Sequence, residues 1–146
     1  MDRDTVTKFL FQEVEKTTEE LKKLAKIKGD ADGPRTSWHS TIHLDIERNI
    51  MTEEKYLRRC KSIINSLKNT DLTTEIKDGS IITMLIDNEE GQYIFLEEEY
   101  GSSIGEYYFI SSKSLIGKAI QNKKAGQTLK VKTPDGIICI EILKVL

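Results

Sequence analysis

Residues 28–41 read KGDADGPRTSWHST, a polar stretch holding two glycines, a proline and two aspartates, Asp30 and Asp32, one residue apart. Glycine and proline interrupt regular structure, so the stretch reads as a turn between whatever flanks it. Both flanks are periodic. Between Asp4 and Lys28, Leu10, Val14, Thr17, Leu21 and Leu24 recur at alternating four- and three-residue steps with Lys and Glu between them, which is one face of an amphipathic helix. Asp4 is its candidate N-cap and Gly29 its candidate end, with Lys26 and Lys28 complementing the C-terminal dipole. About 25 such residues make a rod of roughly 37 Å. Beyond the turn, Ile46, Ile50, Leu57, Cys60, Ile64 and Leu67 continue the seam, with Glu53 as a polar intruder, and predict a second helix over 36–68. A break near 49–52 is the alternative, because Thr52 followed by Glu53 and Glu54 also makes a helix start. Isolated short helices are marginal in water, so two stripes joined by a short loop predict an antiparallel hairpin.

Composition shifts near residue 70, from Lys/Glu-rich to Ile/Tyr/Gly-rich. The reading is therefore a coiled-coil hairpin over 1–70 with its tip at 29–41, then a second unit over 75–146; a single domain is the alternative. The chain has 38% hydrophobic and 32% charged residues and a net charge of −2, which excludes a basic nucleic-acid binder in bulk and leaves only local contact. The start, MDRDTVTKFLFQEVEK, has an apolar run only at 9–11 with acids on both sides. It fits neither a signal peptide nor a membrane span, and a cytoplasmic monomer without membrane contact is expected. Cys60 and Cys139 lie far apart in unlike patterns and read as reduced core thiols rather than a disulfide or a metal site.

After a polar connector at 69–79, short apolar runs at 80–86, 92–98 and 107–110 read as strands, with a hairpin turn at 88–91 and a looser loop at 100–106 holding Gly101 and Gly105. SLIGKAIQ at 114–121 is a short helix opened by a capping serine. Strands follow at 128–133 and 137–146, joined by Pro134–Asp135–Gly136. The fold class is α+β: a helical hairpin, then a small antiparallel sheet with one short helix. Glu89, Glu90 and the glutamates at 97–99 read as an acidic sheet edge that discourages strand pairing between chains.

From Ile110 onward the sequence ISSKSLIGKAIQNKKAGQTLKVKTPDGIICIEILKVL resembles the C-terminal domain of the Gre family of bacterial transcript-cleavage factors. The shared frame is a Ser-rich entry at Ser112 to Ser114, a short helix, a turn from Asn122 to Gly126, a strand, the Thr133 to Gly136 turn, and a closing strand. The resemblance implies an FKBP-like C-terminal domain. It implies a transcription elongation factor, itself no enzyme, that docks on RNA polymerase at the secondary channel and inserts the hairpin. The tip would then bring acids to the second Mg²⁺ of the polymerase active site, where hard oxygen ligands complete a two-metal site and the polymerase cuts backtracked RNA. No cofactor would be bound stably by the free protein, and DNA would be met only through the polymerase complex.

Carried over residue by residue, Gly29 and Asp30 match the family's Gly-Asp pair, so Asp30 stands for the first acid. Gly33 occupies the position of the second acid, and Asp32 is the nearest substitute. The competing reading makes both aspartates ordinary turn formers. Asp32–Gly33–Pro34 followed by Thr36, Ser37 and Trp38 resembles a less typical branch of the family, which implies a non-cleaving modulator or inhibitor as the alternative. Lys22, Lys23, Lys26, Lys28 and Arg35 crowd the tip-proximal end, and in the family such a patch meets the nascent RNA 3′ end; a solvated helix face has the same composition. Trp38 either stacks on a nucleotide or polymerase surface or packs across the hairpin end. His39 and His43 have a four-residue spacing that suits a transition metal, yet Asp45 is on another face and no further ligand is at hand, which disfavours zinc. Peptidyl-prolyl isomerase activity is a further alternative from the implied fold, but Tyr93, Phe95, Tyr107, Tyr108 and Phe109 alternate along strands and divide between core and surface rather than ringing a pocket.

Overall fold

The computed structural model describes residues 2–30, 37–70, 74–98 and 102–146, with the backbone alone at 37–40 and 102. Helix α1 spans Arg3–Asp30 and α2 spans Ser37–Asn69. The cap of α1 is Asp2 rather than Asp4: its Oδ1 accepts the Thr5 amide proton at 2.9 Å, and its other oxygen accepts the Thr5 hydroxyl. These bonds hold the Asp2 carboxyl below its usual range. At the other end the helix runs through Gly29, which keeps a non-left-handed backbone, as far as Asp30, the last residue described before 37. The second helix is continuous through 49–52; the Thr52 hydroxyl donates to the Arg48 carbonyl at 2.9 Å within the helix rather than capping a new one.

The chain divides into two compact units, Lys8–Ile64 and the combination of Met1–Thr7 with Asn65–Leu146. In the hairpin unit the seam is as the periodicity requires: Leu10, Thr17, Ile46, Cys60, Ile63 and Ile64 are buried, and Val14, Leu21, Leu24, Ile50 and Leu57 half-buried. Burying each large aliphatic contributes about 1.5–3 kcal/mol. Polar contacts also cross the hairpin. The Tyr56 hydroxyl donates to Glu13 Oε2 at 2.8 Å, and Lys28 Nζ meets Glu47 Oε1 at 3.0 Å, so early α1 faces late α2 and the reverse. The helices are antiparallel.

The second unit holds strands β1 Ile81–Ile86, β2 Glu89–Leu96, β3 Ser102–Ile104, β4 Tyr107–Ser111, β5 Thr128–Thr133 and β6 Gly136–Val145, with helix α3 Leu115–Ile120 between β4 and β5. They form one six-stranded sheet in the order β3-β4-β2-β1-β6-β5. It is mixed, since β2 and β4 pair parallel while the other pairs are antiparallel. The reason lies in β3, a short strand within the segment expected to be loop: it pairs antiparallel with β4 across Gly105 (φ +58), and that reversal brings β4 in alongside β2 in the same sense. The β1–β2 turn is the two residues Asp87 and Asn88, both at positive φ (49° and 70°), earlier than the expected 88–91, because Asp and Asn tolerate the left-handed pair a tight hairpin needs. Glu89 and Glu90 thus belong to β2. That strand lies inside the sheet, so Glu89 and Glu90 at its start and Glu97 and Glu98 after its end do not form a sheet edge, while Glu99 lies outside the described residues; the edges are β3 and β5, and β5 exposes Lys130 and Lys132.

One face of the sheet buries Ile82, Met84, Phe95, Ile110, Val131, Ile140 and Ile142 with Ile76 and with Ile120 of α3. On β6 these core positions alternate with exposed ones, which turns Cys139 outward: only Cys60 is a core thiol. The α3 cap is as expected, the Gly117 amide donating to Ser114 Oγ at 2.9 Å. Gly117 admits no side chain, because a Cβ there would stand 1.8 Å from the Ser111 carbonyl oxygen. At the helix root, Arg3 Nη1 donates to the Thr70 carbonyl at 2.9 Å, and the Thr70 hydroxyl lies within bonding reach of the Ser66 and Asp78 carbonyls. Gly79 follows directly and donates to the Phe95 carbonyl at 2.8 Å. Among the described residues no helix is long and apolar enough to cross a membrane.

Candidate functional site

Helix α1 is 28 residues long, about 42 Å at 1.5 Å per residue, and its final residue is Asp30. The Asp30 side chain is exposed. At about 100° per residue, Asp30 shares its helix face with Lys26 and Lys23, four and seven positions earlier, on the side opposite the buried seam. Both lysines are exposed. A carboxylate at the end of a rod, backed by two cations within two turns, can contribute an oxygen ligand to a metal ion held elsewhere while the lysines attract phosphate.

The other lysines of the expected patch are differently placed. Lys22 pairs with Glu19 at 2.7 Å, and that contact holds the Glu19 carboxyl below its usual range. Lys28 sits on the seam, one four-residue step after Leu24, and pairs across the hairpin with Glu47 at 3.0 Å. Its ammonium is engaged in closing the hairpin, which removes it from the free basic face. The α1–α2 phase predicts this position for residue 28, so the signal was present in the spacing. Asp32 and Arg35 lie outside the described residues, as do the side chains of Trp38 and His39. His43 is half-buried, and among the described residues no three of His, Cys, Asp and Glu come together to hold a metal.

Farther from the tip, burial raises the Cys60 thiol pKa, and burial with the bond to Glu13 raises that of Tyr56. This polar group in mid-seam was not singled out by the sequence pattern, because Glu13 flanks the apolar stripe and Tyr56 precedes Leu57 within it.

Residues 71–146 match the family model described as "Transcription elongation factor, GreA/GreB, C-term". Two relatives named transcription elongation factor GreA are similar to the chain. That of Acetivibrio thermocellus is 32% identical over 100 residues, covering 68% of this chain and 61% of its own length. That of Caldanaerobacter subterraneus subsp. tengcongensis is 31% identical over 102 residues, covering 68% and 62%. The chain thus spans about three fifths of the length of these curated relatives. Among solved structures, Thermus aquaticus Gfh1 aligns over 94% of this chain and 92% of its own at 18% identity, with a TM-score of 0.43. With the family model covering the whole sheet unit from 71 to 146, more than half of the sequence, this chain belongs to the GreA/GreB family of transcription elongation factors.

Proposed function

We propose that this chain is an accessory factor of bacterial RNA polymerase that stimulates cleavage of backtracked RNA by the polymerase itself. Its C-terminal domain docks at the rim of the secondary channel and its hairpin reaches inward, so that Asp30 approaches the active site. The observation that carries this reading is the exposed Asp30 carboxylate ending an uninterrupted helix of 28 residues in a chain of this family. Mg²⁺ takes hard oxygen ligands and keeps open positions that a carboxylate from outside can fill, so Asp30 would help hold the polymerase's second Mg²⁺, with Asp32 as the nearest further donor. Lys23 and Lys26, on the same face, would attract the phosphates of the displaced RNA 3′ end, a local and salt-sensitive contribution. The chain supplies a ligand and some positive charge; the bond-breaking groups belong to the polymerase. It acts as a monomer in the cytoplasm.

The test uses backtracked elongation complexes with the cognate polymerase, and polymerase affinity measured separately by fluorescence anisotropy. Asp30→Ala should lower the cleavage rate by about tenfold or more, roughly 1.4 kcal/mol of transition-state stabilisation, with affinity unchanged. Full stimulation by the Asp30→Ala, Asp32→Ala double variant would overturn the ligand assignment. Wild-type binding without stimulation would replace cleavage by modulation or inhibition.

A further inference from the structure

Helix α2 carries a second stripe besides its seam. Leu44, Arg48, Met51, Lys55 and Arg58 follow one another at four- and three-residue steps, and at about 100° per residue they fall within a sector of roughly 80° on the side away from Ile46, Ile50, Leu57 and Cys60. All five are exposed, and Leu44 keeps 54% and Met51 57% of its surface open between the cations. No carboxylate of α2 stands in this sector: Asp45, Glu47, Glu53 and Glu54 all project elsewhere. The nearest acids make only loose contacts, Arg48 to Asp45 at 3.8 Å and Arg58 to Glu54 at 3.9 Å, between largely exposed side chains. Such exposed pairs contribute little and give way easily to a better partner.

From Leu44 to Arg58 the stripe runs about 21 Å. We infer that it is a docking face for an acidic protein surface, and, resting on the function proposed above, that the surface belongs to the RNA polymerase that receives the hairpin. Charge complementarity calls for carboxylates opposite Arg48, Lys55 and Arg58. The interleaved Leu44 and Met51 favour protein over nucleic acid: phosphate rewards an unbroken cationic row, a base needs an aromatic platform, and the stripe offers neither. A protein surface can accept the apolar side chains between its acids, and methionine adapts to irregular relief.

The experiment titrates fluorescently labelled full-length chain with core RNA polymerase. Leu44→Gln with Met51→Gln, and separately Lys55→Gln with Arg58→Gln, keep helix propensity, which circular dichroism verifies, and Lys16→Gln on α1 serves as control. Each pair should weaken binding by about tenfold, and the cationic pair should also flatten its salt dependence. Affinity within about twofold of wild type for both pairs would overturn the inference, as would a loss confined to nascent-RNA crosslinking with polymerase affinity intact. Failure of the wild type to bind polymerase would overturn the proposed function and this inference together, whereas wild-type binding with unaffected variants would overturn the inference alone.

Discussion

Replacing Gly79 by alanine tests how the end of α2 is fastened to the sheet. Gly79 has φ +78°, a conformation that costs an alanine about 1–2 kcal/mol. It also faces a crowded site, where a Cβ would stand 2.1 Å from Thr70 Oγ1 and 2.3 Å from the Ser66 carbonyl oxygen. The second of these is helix backbone and cannot swing aside, so the last turn of α2 must shift, at roughly 1–3 kcal/mol for overpacking of this kind. The expected loss is about 2–5 kcal/mol, a large part of the 5–15 kcal/mol typical of a folded domain. Gly126 provides the comparison: its φ is +84° and a Cβ added there would meet nothing within 4 Å, so Gly126→Ala should cost only about 1–2 kcal/mol. Urea denaturation followed by far-ultraviolet circular dichroism and by tyrosine fluorescence gives both values, and coincidence of the probes checks that the transition is cooperative. A Gly79→Ala variant no less stable than Gly126→Ala would refute the packing of α2 against the start of β1.

Three further outcomes are expected. Cys139 should react with a thiol reagent in the native state while Cys60 reacts only on unfolding, as mass spectrometry of the modified peptides would read out. Because burial raises the folded pKa of Cys60 and of Tyr56 above their ordinary values near 9 and 10, their stabilisation is complete below those values and is lost as pH rises through the elevated folded ones. Melting temperature should therefore fall above about pH 9, less steeply in Cys60→Ala, and a parallel fall in both proteins would count against the thiol. Ser114→Ala removes the oxygen that accepts the Gly117 amide and should destabilise by about 1 kcal/mol, measurable by denaturant titration; no change would mean that α3 is held by packing alone.

Where local chemistry decides structure, the chain could be read directly. The two helices follow from the spacing of Leu10 through Leu67, the start of α3 from Ser114, and the last hairpin from Pro134 to Gly136, because in each case the cause lies within a few residues. What escaped was set by distant partners or by a few residues with no period. The three residues of β3 give no alternation, the parallel pairing of β2 with β4 joins segments about fifteen residues apart, and the position of the β1–β2 turn is fixed partly from β6, where the Cys139 amide donates to Asp87 Oδ1 at 2.8 Å. At the candidate site the sequence marked Asp30 and the lysines but did not separate Lys28, held by Glu47, from the open Lys23 and Lys26. That distinction depends on which face of α1 meets α2, a phase carried by the seam as a whole.

The seam itself is uneven. Near the root it buries Leu10, Cys60, Ile63 and Ile64 almost completely, but among the described residues toward Asp30, Ile46 is buried, Leu21 and Leu24 are half-covered, and Ile42 stands open. Local opening follows buried apolar contact, so the free energy of opening the helix hydrogen bonds should decline along the hairpin and amide exchange should quicken in the same direction. The consequence is a gradient of local stability along one pair of helices, with a root that should open only with its buried core and a far end whose last turns should open first.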